Sequence, residues 1–255
     1  MSTQKLTGLF LSHGSPMMVA QDIPARQFLK GLGGSLEKPT AVVVLSAHWG
    51  TRQPVVGGAA KPETVHDFYG FPDFLYQLRY PAAGAPALAE RVADLLQAPI
   101  DAGHGLDHGV WTVMSLLWPD ADVPVVPVSV LPHGSPADHY AIGKALRPLA
   151  DENVLIIGSG AMTHNLRAYF TAPMGKVQSW VTDFTDWFAD ATNRGDLDAL
   201  LNYRALAPNA EANHPTDEHL LPFFAALGAA PQGLGKRLHA SLDNGVLAMD
   251  NYGFW

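Results

Sequence analysis

An apolar run, then small residues, then a histidine: the chain repeats this order three times. Gly8–Ser12 leads to His13, Val42–Ala47 leads to His48, and Val154–Gly160 leads through Ala161, Met162 and Thr163 to His164. Runs such as Val42-Val43-Val44-Leu45 read as buried strands, and open α/β sheets bind ligands in the crevice beyond the carboxyl ends of their strands. Histidines delivered there from distant parts of the chain can converge, and convergent neutral imidazoles suit a metal ion. A fourth, His219 in Pro215-Thr216-Asp217-Glu218-His219, falls where a late helix begins; a helix N-terminus favours the neutral form that binds metal. His164 admits two roles, ligand or nearby proton-transfer group.

The chain has 11 histidines, so position must choose among them. His104 and His108 have the spacing of a helical zinc pair, but Gly103, Gly105 and Gly109 argue against a helix there. His108 therefore reads as a loop histidine set by glycines, with Asp107 a candidate to orient it. His133 precedes a helix cap, and His139 and His239 lack any supporting pattern, so cap or surface roles are expected for all three. His214, beside Pro215, is ambiguous. No nucleophile elbow, phosphate loop or dinucleotide fingerprint is present, and Ser15 and Ser135 read as turn or cap residues.

The elements that must position these groups alternate. Helices are expected over residues 23–32, Pro86–Leu96, Val110–Trp118, from Ser135 to about Leu149, over Val177–Ala191 and around Leu221–Leu227. Strands are expected over Thr40–Ser46, Val123–Val130 and Val154–Ile157, with short ones near Gly235–Leu242 and Val246–Asn251. Pro124 and Pro127 push Val123–Val130 toward a sheet edge or a bulge. Ser135, Pro136 and Asp138 form a helix start. Gly158-Ser159-Gly160 reads as a turn, and Gly31-Leu32-Gly33-Gly34 as a helix C-cap and turn. With no linker or low-complexity tract, a single α/β domain is expected.

Composition narrows the chemistry. Lys and Arg total 16 against 24 Asp and Glu, a formal charge of −8, which disfavours a nucleic-acid or anionic-membrane partner. The absence of cysteine removes disulfides, iron–sulfur clusters and thiolate nucleophiles, leaving nitrogen and oxygen to hold any transition metal. Met1–Thr7 lacks the apolar core of a secretory signal, and no apolar run reaches the roughly 18 residues of a membrane helix. A soluble cytoplasmic protein is expected.

Six motifs then occur together and in order: Ser12-His13-Gly14-Ser15-Pro16, Ser46-Ala47-His48-Trp49, His66-Asp67-Phe68-Tyr69-Gly70-Phe71-Pro72, Asp107-His108-Gly109, His164-Asn165-Leu166-Arg167 and Pro215-Thr216-Asp217-Glu218-His219. In these the chain resembles the 4,5-DOPA extradiol dioxygenases of the LigB-like class III extradiol superfamily, from Gly8 to the C-terminus. The resemblance implies one α/β domain, a central mixed sheet covered by helices on both faces, with a metal site at the carboxyl ends of the strands. It implies Fe(II) for catalysis and often Zn(II) in isolated protein. Carried over motif by motif, His13, His48 and His219 are expected as metal ligands and His164 as a further ligand or acid–base residue. His108 is expected to face substrate and dioxygen, and His66 to line the pocket.

Position 219 departs from the 2-His-1-carboxylate triad, since relatives outside this branch commonly place a glutamate there; with His164 coordinating, the site would also suit tetrahedral zinc. The expected partners are a small aromatic catechol and dioxygen, with Arg79 and Arg167 as candidates to hold a substrate carboxylate. The rival expectations are a zinc hydrolase on the same site and a metal-binding protein without turnover. Neither a monomer nor a homo-oligomer is favoured.

Overall fold

The computed structural model describes residues 5–255, so Met1–Gln4 of the polar start lie outside the described residues. The strands among these are β1 (Gly8–Ser12), β2 (Ala41–Gly50), β3 (Val56–Gly57), β4 (Ile100–Asp101), β5 (Val125–Val130), β6 (Val154–Gly160), β7 (Gly235–His239), β8 (Leu242–Asp243), β9 (Leu247–Ala248) and β10 (Asn251–Phe254). Eight of them form one sheet in the order β4-β3-β5-β2-β6-β1-β10-β7. Its centre, β5-β2-β6-β1, is parallel, while β10 and β7 add on antiparallel, so this single α/β domain carries a mixed sheet.

Side chains alternate between the two faces with period two. Leu9, Leu11, Val42, Val44, Leu155 and Ile157 pack on one side with the helices Pro24–Ser35 and His108–Leu117. Val43, Leu45, Val126, Val128 and Ile156 pack on the other with Pro86–Leu96, Pro136–Leu146 and Leu221–Gly228. Phe10, Tyr252 and Phe254 extend that second face under Ser179–Arg194. Each such side chain taken fully from water is worth roughly 1.5–3 kcal/mol, which explains why the central strands read as unbroken apolar runs. No helix among the described residues is long and apolar enough to cross a membrane.

Four local expectations change. First, β5 is an interior strand despite its prolines, because the amides of Val125 and Ser129 bond Ala83 and Val55 rather than β2. The amide that Pro127 lacks would point to that same sparsely paired side, so the β2 ladder loses nothing. Second, the helix Pro24–Ser35 runs through Gly31–Gly34 instead of ending there; a Cβ on Gly33 would lie 2.0 Å from the Leu117 carbonyl oxygen, so that glycine serves a close helix–helix approach. Third, the C-terminal sheet strand begins at Asn251, because Ser12 donates to the Asp250 carbonyl and its amide to Asn251 Oδ1. Leu247–Ala248 pairs instead with Leu242–Asp243.

The fourth change bears on the histidines. Gly158-Ser159-Gly160 is no turn but the last part of β6. A Cβ on Gly160 would lie 2.0 Å from the His219 carbonyl oxygen, and the next amide, that of Ala161, donates to the same oxygen at 2.9 Å. Gly160 thus lets the His219 segment lie directly on the strand end. Gly160→Ala is expected to cost at least about 1–3 kcal/mol and to lower Tm, at roughly 2–4 °C per kcal/mol for a chain of this size, with loss of bound metal. Gly34→Ala, whose Cβ meets open space, should change neither, by melting and metal analysis.

Candidate metal centre

β2, β6 and β1 are neighbours in the sheet, so the residues beyond their carboxyl ends arrive side by side. His13 follows β1 directly, its amide bonded to the Gly160 carbonyl at 3.0 Å. His48 stands within β2, where the register with β5 slips between Ser46 and Gly50; a slip of this kind re-aims a side chain. His219 ends the segment that lies on Gly160. That segment is pinned by Asp217, which accepts from the Tyr203 hydroxyl and the Arg204 guanidinium. His164 is held through its amide by the Asn213 carbonyl at 2.9 Å, and Asn165 caps the helix Leu166–Thr171 that follows.

Nitrogens of His13, His48 and His219 lie within 4.8 Å of one another, and His13 Nε2 and His48 Nε2 are 3.0 Å apart. The His164 ring stacks on His219 with centroids 3.4 Å apart. Partners on the far sides decide which nitrogens face inward. The Ser159 hydroxyl gives its one proton to the Gly109 carbonyl, so toward His13 Nδ1, at 3.0 Å, it can only accept. His13 therefore carries its proton on Nδ1 and aims the Nε2 lone pair at the cluster. His219 Nδ1 donates to Glu218 Oε1 at 3.0 Å, with His164 Nδ1 at 4.0 Å from the same oxygen. His48 Nδ1 faces Asp67 Oδ2 at 3.5 Å.

Burial, reinforced by the neighbouring imidazoles, holds His13, His48 and His164 well below the usual histidine range; burial lowers His219 as well, against the pull of Glu218. All four are thus kept in the neutral form that a metal requires. Two lone pairs facing each other at 3.0 Å repel unless a cation lies between them, and ligand bonds near ~2.1 Å from one ion span such a separation. The donor set fits a divalent transition ion held by nitrogen.

Around these rings stand residues that spacing could not assign. His108 opens the helix His108–Leu117 rather than lying in a loop. Asp107 caps that helix through Val110 N and accepts from Ser46 Oγ at 2.6 Å; burial pushes its carboxyl up to about 6. It does not orient His108. That role falls to Asp67, which accepts from both the amide and Nδ1 of His108. Asp67 and Glu218 were each quoted within a motif but given no role, because adjacency to a histidine does not reveal which ring a carboxylate will reach. His66 donates Nε2 to the Leu78 carbonyl and sits among Phe68, Tyr76 and Trp111. Phe68 separates it from His108, at 5.8 Å from each ring. Arg79 spends Nη1 on the Tyr76 and Leu78 carbonyls, and Arg167 is exposed.

The remaining histidines stand apart. His133 is exposed and His239 bonds Ser241 and stacks on Phe28. His104 stacks on Trp49 with centroids 3.6 Å apart. His139 is neither cap nor surface: it is fully buried, takes Leu131 N at Nε2 and gives Nδ1 to the Ser135 carbonyl. The capping box of Ser135 and Asp138 delivers it there. His214 is buried and donates to the Met162 carbonyl.

Comparison with known proteins names the framework. The family model described as "Catalytic LigB subunit of aromatic ring-opening dioxygenase" matches residues 7–254. The chain belongs to the LigB family. It is 41% identical to a "4,5-DOPA dioxygenase extradiol" of Beta vulgaris over 96% of this chain and 95% of that one. It is 40% identical to the Escherichia coli protein of the same name, over 90% and 87%. The crystal structure of an uncharacterized Escherichia coli K12 protein superposes with a TM-score of 0.82 at 32% identity, covering 98% of this chain and all of the other. Membership in the LigB family makes the chain a metal-dependent extradiol dioxygenase, and aromatic ring opening implies a small aromatic substrate and dioxygen.

Two outcomes follow from the geometry of this LigB site. Ser159→Ala removes the only acceptor that fixes the His13 tautomer and is expected to weaken divalent-metal binding about 10–100-fold, read by chelator competition, with little change in far-UV circular dichroism. Because the clustered histidines titrate lower in the fold than the ordinary 6.5, the unfolded chain binds more protons, so folding stability is full above about pH 6.5 and is lost as pH falls below it. The Tm of metal-stripped protein should therefore be flat from pH 7 to 8 and drop on acidification. A Tm unchanged between pH 7 and 5 would contradict that.

Proposed function

We propose that the protein opens the ring of a catechol such as L-DOPA by 4,5-extradiol cleavage, giving seco-DOPA, which cyclises to betalamic acid. The observation that carries the reading is the convergence of neutral His13, His48 and His219 nitrogens at the sheet's carboxyl edge, in a chain with relatives bearing that name. His13, His48 and His219 are the residues that would hold Fe(II), with His164 a further ligand or an acid–base group. When bound, the ion supplies the Lewis acidity and electron conduit that let a catechol react with dioxygen. Both oxygen atoms enter the product, so no external reductant is needed.

The protein's own groups supply the rest. His108 would accept a catechol proton and return it when the oxygen–oxygen bond breaks, with His164 as the second candidate. His66, Phe68, Tyr76 and Trp111 present aromatic faces on the His108 side, suited to stacking against an aromatic ring. The all-nitrogen donor set also suits Zn(II), so protein isolated with zinc is expected to be inactive until iron replaces it.

Anaerobic loading with Fe(II), then addition of a catechol and oxygen, tests the reading. Equimolar oxygen uptake with a yellow product supports it; turnover of an ester or amide without oxygen would replace it with a zinc hydrolase, and neither activity would leave a metal-binding protein. His219→Ala is expected to lose iron and turnover together. His108→Ala should keep nearly normal iron yet lose turnover on the order of 10²–10⁴-fold. A metal-free His108→Ala protein would overturn the division of roles.

A further inference from the structure

Asp67 uses both of its oxygens on one residue. Oδ1 accepts from the backbone amide of His108 at 2.9 Å and Oδ2 from His108 Nδ1 at 3.0 Å. The carboxylate also faces His48 Nδ1, but at 3.5 Å, too far for a strong bond. The nearer carboxylate in sequence, Asp107, cannot share the task, since its Oδ1 is engaged by Ser46 and Val110 at the helix start. His108 is buried, so water does not readily replace a lost partner at Nδ1.

We propose that Asp67 is a positioning residue that fixes the tautomer of His108. A carboxylate only accepts, so the neutral ring must carry its proton on Nδ1, which leaves Nε2 as the basic nitrogen. The role of that nitrogen in taking a catechol proton rests on the ring-cleavage reading above; the tautomer does not. The same accounting separates positioning from simple loop anchoring. An asparagine at 67 keeps the shape but offers one acceptor oxygen and one donor amide. The backbone amide of His108 cannot change its polarity and requires the oxygen, so the side-chain NH₂ turns to Nδ1. The imidazole can adapt, and it does so by moving its proton to Nε2.

Nitrogen-15 NMR of histidine-labelled, zinc-loaded protein at pH 8 reads this directly. His108 is expected as the Nδ1–H form in the wild type, the Nε2–H form in Asp67→Asn, and a mixture in Asp67→Ala, where neither form is favoured. In the iron-loaded enzyme Asp67→Asn should lower kcat on the order of 10²–10⁴-fold, as general-base removal or a wrong tautomer does. KM should stay within about threefold and metal affinity within about tenfold, the lower limit for loss of a direct ligand support. An Nε2–H wild type, an Asp67→Asn protein that keeps Nδ1–H, loss of metal in that variant, or an inverted tautomer with kcat unchanged would each overturn the proposal. If the tautomers behave as expected while the wild type cleaves no catechol, the ring-cleavage reading fails and the positioning role stands.

Discussion

Two imidazole nitrogens 3.0 Å apart, one with its lone pair fixed inward by a serine hydroxyl, set the terms for everything around them. Such a contact is unfavourable between neutral rings unless a proton or a cation bridges it, and burial disfavours the proton. The fold meets this demand with directional support behind each ring: Ser159 behind His13, Asp67 beside His48, Glu218 behind His219. A cation between the nitrogens would relieve a repulsion that the apo site otherwise carries. In this sense the site is built at the expense of local stability, as pre-formed functional sites are.

Strand order makes the convergence possible. His13, His48 and His164 are distant in sequence, but β1, β6 and β2 are consecutive in the sheet, about 4.8 Å apart per step, so the residues past their ends fall within one side-chain length of each other. The fourth histidine arrives from the opposite direction. It can do so because β6 ends in glycine, where any side chain would collide with the His219 backbone. Parallel order supplies three imidazoles; the missing Cβ of Gly160 admits the fourth.

That division also explains what was legible in the sequence. Apolar runs ending in histidine are a local pattern, and they located His13 and His48 correctly at strand ends; the helices over Pro86–Leu96 and Leu221–Leu227 followed from periodicity in the same way. Gly158–Gly160 was misread as a turn because a glycine kept for close approach looks the same as one kept for its backbone freedom. Pro127 misled because the cost of a missing amide depends on which neighbour that amide would have faced. Asp107 and Asp67 exchanged roles because orientation of a ring is decided across loops, at sequence separations no spacing rule covers. His139 was hidden for a similar reason: its two backbone partners exist only once the Ser135 capping box has turned the helix.

The departure from a carboxylate ligand at position 219 is smaller electrostatically than it looks. Glu218 and Asp67 both remain ionised, held well below the ordinary carboxylate range: burial opposes this for both, but hydrogen bonding to His219 and His108 outweighs it. Each therefore keeps a full negative charge one ring away from the cluster. A carboxylate on Nδ1 of a ligating imidazole raises the basicity of Nε2 and passes part of its charge through the ring. Neutral donors at His13, His48 and His219 would leave a divalent ion with both positive charges, and two carboxylates just behind them offset that charge without occupying a coordination position. A position not taken by a carboxylate remains open for an anionic catecholate, whose own charge then completes the neutralisation. Placing the carboxylates behind the imidazoles is thus a way to balance charge at the metal while reserving the direct contacts for substrate.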